Sequence, residues 1–556
     1  GTSITMYWPL PKIIFSRGMF SGTGVGCFGG IYIICEQGGI MRLKVTADYL
    51  WLPVDMSREE KTLNIYADGK LVQEIRIRLA ADRYDFYGAW KCAAYRDKEI
   101  ELVFDEEEIL TTSPIRQEME RPGNDYPYRP KLHHTATYGW VNDPNGLVYA
   151  DGVYHLFYQH NPYSTGWENM SWGHAVSNDL FSWKELDVAM TPDQYGTAYS
   201  GCGLVDRKNT AGCGQDALLF FYTASGGRND WSVREGNVFS QRLRWSNDQG
   251  MTIHDAGEII PWMTAENRDP KVFWHDSTKA YIMVLYLDGN DFLILRSEDL
   301  RHWKESQKLS VPGMWECPAL MELPVEGTDE KRWVFWSADG YYVIGTFDGY
   351  QFTAQTDRLM AYFSRRAYAA QTYDNTGDRV IMVPWIRLDS TLGNYHGAMG
   401  IPQVLTLKRT KDGDRIAFHM PEEMEALRGE WAELPLETDL VIADEAREIQ
   451  LSWKPGASGK ADLAIGETVI RINFAEGKLS VKTSRLHELD TELCASFDPA
   501  EGLDLQITID QEMIDVLGQG GVICGTIETE ENVLGKTVRL NSNEKPETFQ
   551  WTVLGK

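Results

Sequence analysis

Asp143 lies in the run Trp140-Val141-Asn142-Asp143-Pro144-Asn145-Gly146-Leu147. Pro fixes φ and Gly accepts positive φ, so the run predicts a tight turn between one strand-like segment ending at Trp140 and another beginning at Leu147. A carboxylate at such a corner points off the end of a sheet, within reach of a small molecule. Asp269, in Arg268-Asp269-Pro270-Lys271-Val272-Phe273-Trp274, sits at a corner that opens an apolar strand. Glu316, in Trp315-Glu316-Cys317-Pro318-Ala319-Leu320, is again an acid beside an aromatic residue and just before a Pro. Each acid alone reads equally well as a turn residue or an Arg partner. Three of them at strand-edge corners, each with a Trp nearby, form a set suited to glycoside cleavage. That chemistry needs one carboxylate to attack or to activate water, and a second, protonated one to release the leaving oxygen. An aromatic neighbour and partial burial raise a carboxyl's pKa, the tuning a general acid requires.

Further motifs follow in order. They include Tyr158-Gln159-His160-Asn161-Pro162, Trp172-Gly173-His174-Ala175, then Ser177-Asn178-Asp179-Leu180 with Trp183, and Tyr199-Ser200-Gly201. After the Arg-Asp-Pro and Glu-Cys-Pro motifs come Tyr368-Ala369-Ala370-Gln371-Thr372 and Gly400-Ile401-Pro402. From about Tyr128 to Leu407 this ordered set resembles glycoside hydrolase family 32, the β-fructofuranosidases: invertases, inulinases and levanases. The resemblance implies Asp143 as nucleophile, Glu316 as acid/base and Asp269 as stabiliser of the transition state. Asn142, Gln159, Trp167, Tyr199, Ser200 and Arg268 match positions lining the family's fructosyl subsite. It also implies retention through a covalent fructosyl intermediate. Arg268, next to Asp269, is expected to keep that acid ionised, separating its role from that of Glu316. The chain departs from the family at Arg366-Ala367, where Asp-Phe is common, and at Ala361-Tyr362-Phe363, where Asp-Tyr-Gly is usual. Both departures are expected at the margin of the subsite.

A net charge of −27 argues against nucleic acid or an anionic membrane as partner and suits a neutral sugar, although solubility alone accounts for such a bias. An aromatic fraction of 12% suits sugar stacking and large β cores alike. Eight Cys are scattered without a CxxC pair or metal-ligand spacing, and read as mostly free, buried thiols in a reducing compartment. Cys202 and Cys213 could meet across a loop, but nothing requires it. His133-His134 would point to opposite faces of a strand, so no metal is expected there. No metal or organic cofactor is expected anywhere.

Residues 1–40 read as an atypical extension upstream of a natural start at Met41, or equally as N-terminal strands closing the first domain. Their apolar runs are too short to span a membrane, and no signal-peptide order appears. The reading favours the cytoplasm, with secretion as the alternative. Residues 41–125 alternate as an antiparallel β domain, with Asp68-Gly69 marking a hairpin between Leu63-Asn64-Ile65-Tyr66 and Leu71 to Ile77. The domain offers surface for a homo-oligomer. A Pro-, Arg-, Asp- and Tyr-rich stretch from Glu118 to Pro130 reads as a linker into the catalytic domain.

Within 126–410 a weak repeat recurs: Ser177-Asn178-Asp179-Leu180, Ser246-Asn247-Asp248 and Ser297-Glu298-Asp299-Leu300. Short strands surround it, as between propeller strands. Periodicity supports an all-β repeat; the resemblance implies a five-bladed propeller with the acids around its mouth. One short helix is expected at Pro421 to Leu427, followed over 430–556 by alternating strands of a β-sandwich. The fold expected is all-β throughout. The activity expected is exo-acting hydrolysis of terminal β-D-fructofuranosides from sucrose or fructan. The rivals are a fructosyltransferase on the same scaffold, a carbohydrate-binding propeller without catalysis, and a related five-bladed arabinoside hydrolase.

Overall fold

Period-two alternation dominates the chain, and in the computed structural model it is expressed as antiparallel sheet almost throughout. The structure describes residues 39–555 except 125, 390–393, 444–445 and 530–532, with the backbone of the strands Gly24–Phe28 and Ile31–Glu36. Residues 1–23 of the expected extension lie outside the described residues. The two early strands lengthen the N-terminal sheet, Ile31–Glu36 pairing with Ile40–Lys44.

That sheet continues through Glu99–Phe104, Lys61–Ala67 and Lys70–Ile77, the last forming its outer edge. The Asp68-Gly69 hairpin turn has φ of 50° and 71°, the two positive values that a tight two-residue hairpin demands. A three-stranded sheet of Phe86–Lys91, Tyr49–Val54 and Arg116–Glu118 packs on it around Leu50, Leu52, Leu63, Ile65 and Leu102.

Five blades follow, each of four antiparallel strands to which three blades add a short fifth, with innermost strands Gly139–Ala150, Thr197–Asp206, Arg268–His275, Ala319–Pro324 and Ala367–Thr372. The ring closes where the first and last of these meet: Tyr149 N–H donates to the Asp374 carbonyl, and Asp374 N–H to that of Leu147, each at 3.0 Å. The repeated Ser-x-Asp motif ends the third strand of blades one to three. In each copy the Ser hydroxyl meets the Asp carboxylate, at 2.8 Å for Ser177–Asp179, 2.7 Å for Ser246–Asp248 and 3.1 Å for Ser297–Asp299. The carboxylate then caps backbone N–H groups ahead of the fourth strand.

The C-terminal sandwich stacks two six-stranded sheets over Ile449, Leu451, Leu463, Ile470, Ile507 and Leu540. The expected short helix is a 3-10 helix, Glu422–Leu427. Two α-helices not read from the sequence, Glu107–Thr112 and Asp230–Glu235, are six residues each and too short to show a 3.6-residue period. Among the described residues no helix is long and apolar enough to cross a membrane.

His133 and His134 are not in a strand, so the alternating-face argument does not apply to them. His133 is a tether instead. Its Nδ1 lies 2.8 Å from Asp510 and its Nε2 2.9 Å from Asp515, both on the sandwich, and Asp510 also accepts the N–H groups of Lys131, Leu132 and His133. Burial pulls the imidazole's pKa down, but the two carboxylates outweigh it and push it up to about 10. Because that value stands above the unfolded value of about 6.5, the tether's contribution is complete below pH 6.5 and is lost as pH rises through 10. Replacing His133 by Ala strands two buried carboxylates. It is expected to cost about 3–5 kcal/mol in denaturant unfolding at pH 6, with the gap to the parent protein closing toward pH 10.

Candidate active site

The turn expected at Asn142 to Gly146 is not a turn. The segment lies inside the continuous strand Gly139–Ala150, whose register shifts between Val141 and Pro144 and again between Asn145 and Val148. Pro and Gly are absorbed by bulges, where Pro144 has no N–H to lose from the ladder and Gly146 takes φ of 56°. A Cβ on Gly146 would come within 2.8 Å of the Phe157 and Trp172 rings. The same break recurs in three more innermost strands, between Ala198 and Gly201, Arg268 and Lys271, and Tyr368 and Gln371. Left-handed φ marks Asp269 (63°) and Ala369 (49°) inside two of these breaks, and Glu316 (53°) and Cys317 (40°) just ahead of the fourth innermost strand, Ala319–Pro324. A bulge re-aims one side chain out of the pleat, and here the re-aimed side chains converge on the mouth of the central channel.

They meet in a cavity of about 380 Å³. All nine residues predicted from the sequence line it: Asn142, Asp143, Gln159, Trp167, Tyr199, Ser200, Arg268, Asp269 and Glu316. Asp143 accepts from Ser200 Oγ at 2.6 Å and from Asn142 Nδ2 at 3.2 Å. Asn145 locks this strand to the next blade, donating to the Asp143 carbonyl at 3.0 Å and accepting from Gly201 N–H at 2.9 Å. Asp269, 5% exposed, accepts the Cys317 N–H at 3.0 Å. The Cys317 thiol stands 3.5 Å from Asp269 and 3.7 Å from Asp143, so these two carboxylates face each other across one sulfur. Glu316 is held at both oxygens, by Arg268 Nη2 at 2.7 Å and by the Tyr368 hydroxyl at 2.7 Å.

Burial raises the Asp143 pKa against the hydrogen bonds from Ser200 and Asn142, and the Glu316 charge adds to the rise. Burial likewise lifts Asp269 to about 7; Arg268 opposes this, while Asp143 and Glu316 reinforce it. The expectation that Arg268 keeps Asp269 ionised is therefore corrected. Its guanidinium turns to Glu316 and to Glu266, at 2.7 and 2.6 Å, and only Nε comes near Asp269, at 3.8 Å.

The two departures from the family pattern do not line the cavity. Arg366 is 2% exposed and pairs with Glu528 of the sandwich at 2.8 Å and with Asp389 at 2.7 Å. Tyr362 is buried against Trp336 and Phe418, and Phe363 N–H bonds the Cys524 carbonyl of the sandwich at 3.0 Å. Both are interdomain contacts. The thiols of Cys92, Cys202, Cys213, Cys317, Cys494 and Cys524 are free, so Cys202 and Cys213 remain separate. Sequence reading missed Arg228, Phe239, Glu266 and Trp385 on the cavity wall and gave Tyr368 no role. Glu266 had a local signal, an acid two residues before Arg268; the other three carry none.

The model of the glycosyl hydrolases family 32 N-terminal domain matches residues 133–418, just over half of the chain and the whole set of site residues. The chain belongs to glycoside hydrolase family 32. A domain of unknown function, DUF4980, matches residues 35–119, the N-terminal β unit. A levanase of Bacillus subtilis is 33% identical over 454 residues, covering 71% of this chain and 65% of the levanase. An extracellular exo-inulinase of Aspergillus niger is 32% identical over 353 residues, covering 54% of this chain and again 65% of the relative. The chain thus spans a little under two thirds of these curated relatives. Among solved structures, the exo-inulinase of Aspergillus awamori superposes with a TM-score of 0.69 at 23% identity, over 78% of this chain and 99% of that one. The likeness shows a shared propeller-and-sandwich fold.

A carboxyl lifted to about 7 weakens the fold as it ionises. The unfolded chain's Asp loses its proton near 3.8 and the folded one near 7, so stability falls as pH rises through that window and stays lower above it. Asp269→Asn removes the penalty. It is expected to stabilise the protein by about 2–4 kcal/mol at pH 8, with the gain vanishing toward pH 4, as read by denaturant midpoints.

Proposed function

We propose that the chain is a retaining, exo-acting β-fructosidase that releases terminal β-D-fructofuranosyl units from sucrose or fructan. The observation that carries this reading is the convergence of Asp143, Asp269 and Glu316, with Arg268 and Tyr368, in one cavity at the propeller mouth. Family membership and relatives named levanase and exo-inulinase support it.

In the proposed reaction Asp143 attacks the anomeric carbon while Glu316 gives its proton to the departing glycosidic oxygen. Water then attacks the fructosyl ester and returns a proton to Glu316, freeing Asp143. Ser200 and Asn142 orient the nucleophile, leaving less of its position to chance. Asp269, buried beside the reacting carbon, would hold fructosyl hydroxyls and gain strength as positive charge develops there. A cavity whose floor is the carboxylates suits the end of a chain. The alternative acceptor, a sugar hydroxyl in place of water, would make the same site a fructosyltransferase.

Sucrose, inulin and levan incubated separately and resolved by anion-exchange chromatography are expected to yield free fructose progressively. Oligosaccharides longer than the substrate at high sucrose would overturn hydrolysis in favour of transfer. Glu316→Gln is expected to lower kcat by about 10²–10⁴-fold, and Asp143→Asn by at least as much, with circular dichroism unchanged. Proton NMR of the first turnovers should show the β-anomer of fructose.

A further inference from the structure

The loop of residues 162–170 joins the second and third strands of the first blade and presents Trp167, 49% exposed, at the mouth of the cavity. The Trp167 ring meets Tyr199 edge-on at 6.0 Å. The propeller holds the middle of this loop: Asn161 Nδ2 donates to the Gly166 carbonyl at 2.9 Å, and His396 Nδ1 lies 3.1 Å from the Thr165 carbonyl. Its two ends are held from the N-terminal domain as well.

Tyr163 leaves the propeller and is buried in the core of that domain, its hydroxyl 3.4 Å from the Ala89 carbonyl. Gly88 faces it so closely that a Cβ there would lie 2.5 Å from the Pro162 carbonyl oxygen and 2.7 Å from the Tyr163 ring. At the other end of the loop, Asn169 is 4% exposed with φ of 49°. Its side-chain amide accepts from Arg76 N–H and donates to the Arg76 carbonyl, both at 2.7 Å. One side chain thereby pairs with the free edge of Lys70–Ile77 as a further strand would. Asn alone among common residues combines tolerance of left-handed φ with an amide able to do this. Nearby, Gln73 donates to the Pro192 carbonyl at 3.2 Å and Glu74 pairs with Arg234 at 3.2 Å, so the brace extends to the segment carrying Arg228.

We propose that the N-terminal β domain is a positioning part of the active site, fixing Trp167 through Tyr163 and Asn169 as a rigid platform for the bound sugar ring. This rests on the fructosidase reading above. A platform held in place spares the sugar the cost of ordering the loop, and an aromatic face packs well on a sugar ring's apolar side. The carboxylates are seated on or beside the inner strands, so loosening the brace should weaken binding far more than it slows chemistry.

Gly88→Ala and Asn169→Ala, each in the full chain, test this from opposite ends of the loop. With sucrose as substrate, either variant is expected to raise KM about fivefold while kcat stays within about twofold. Hydrogen exchange at residues 162–170 should quicken about tenfold, with protection in the five blades retained. An unchanged KM beside faster loop exchange would overturn the proposal, as would kcat and KM changing together with protection lost across the blades. If the parent protein turned over none of sucrose, inulin and levan, the fructosidase reading would fail by itself. Exchange would then decide the brace, which is overturned if neither substitution alters protection of the loop.

Discussion

One buried carboxylate, Asp269, and two half-buried ones, Asp143 and Glu316, share one cavity, and their mutual repulsion is the constraint on which the rest of the site depends. Two unit charges 4 Å apart repel by about 4 kcal/mol at an effective dielectric of 20, and burial adds its own penalty to each. The site meets this unevenly. Asp143 is given hydroxyl and amide donors, Glu316 an Arg and a Tyr hydroxyl, and Asp269 mainly one backbone N–H. Asp269 is the acid lifted to about 7, and it is the one whose proposed partners are the substrate's own hydroxyls. A site satisfied only when loaded is less stable when empty, the usual exchange of stability for function.

Backbone geometry makes that crowding achievable. Glu316 and Cys317 are consecutive residues in the left-handed region, a conformation costing of the order of 1–3 kcal/mol per residue. A turn of their own blade holds them there: Ala338 N–H, just past that blade's second strand, reaches the Trp315 and Glu316 carbonyls at 3.2 Å, and Ala369 N–H of the fifth blade reaches the Ala338 carbonyl at 2.8 Å. Cys317, Ala338 and Ala369 pack together as a small cluster, and the left-handed backbone aims the Cys317 N–H at Asp269. The strain is local, and it is maintained by hydrogen bonds within the fourth blade and to the blades on either side.

The acids were legible because their chemistry demands particular residue types, and because Pro and Gly beside them announce a backbone irregularity. Those cues do not distinguish a turn from a bulge, so the segment from Asn142 to Gly146 reads as a corner in the sequence and is a bent strand in the structure. The Asp68-Gly69 hairpin and the Ser-x-Asp repeat were readable for the opposite reason: each is satisfied by its own near neighbours. What escaped the sequence depends on partners distant along the chain. Adjacency in sequence points Arg268 at Asp269, whereas its shortest bond beyond Glu266 is to Glu316, and Arg366 finds Glu528 on another domain. Arg228, Phe239 and Trp385 reach the cavity from loops and outer strands, where no periodicity marks them.

The interdomain contacts are placed where the ring is weakest. A propeller closes without covalent help between its first and last blades, here between Gly139–Ala150 and Ala367–Thr372, the strands carrying Asp143 and Tyr368. His133 lies six residues before the first of these strands and is tied to Asp510 and Asp515; Arg366 immediately precedes the second and is tied to Glu528. Buried ion pairs add little net stability over apolar packing, but they tolerate few alternative arrangements. Three carboxylates on one sandwich therefore act on register rather than on strength, fixing how the two closing blades meet. An error of one residue there would turn Asp143 or Tyr368 to the opposite face of its strand. On this argument the sandwich holds the chemistry in register from below while the N-terminal domain steadies its rim.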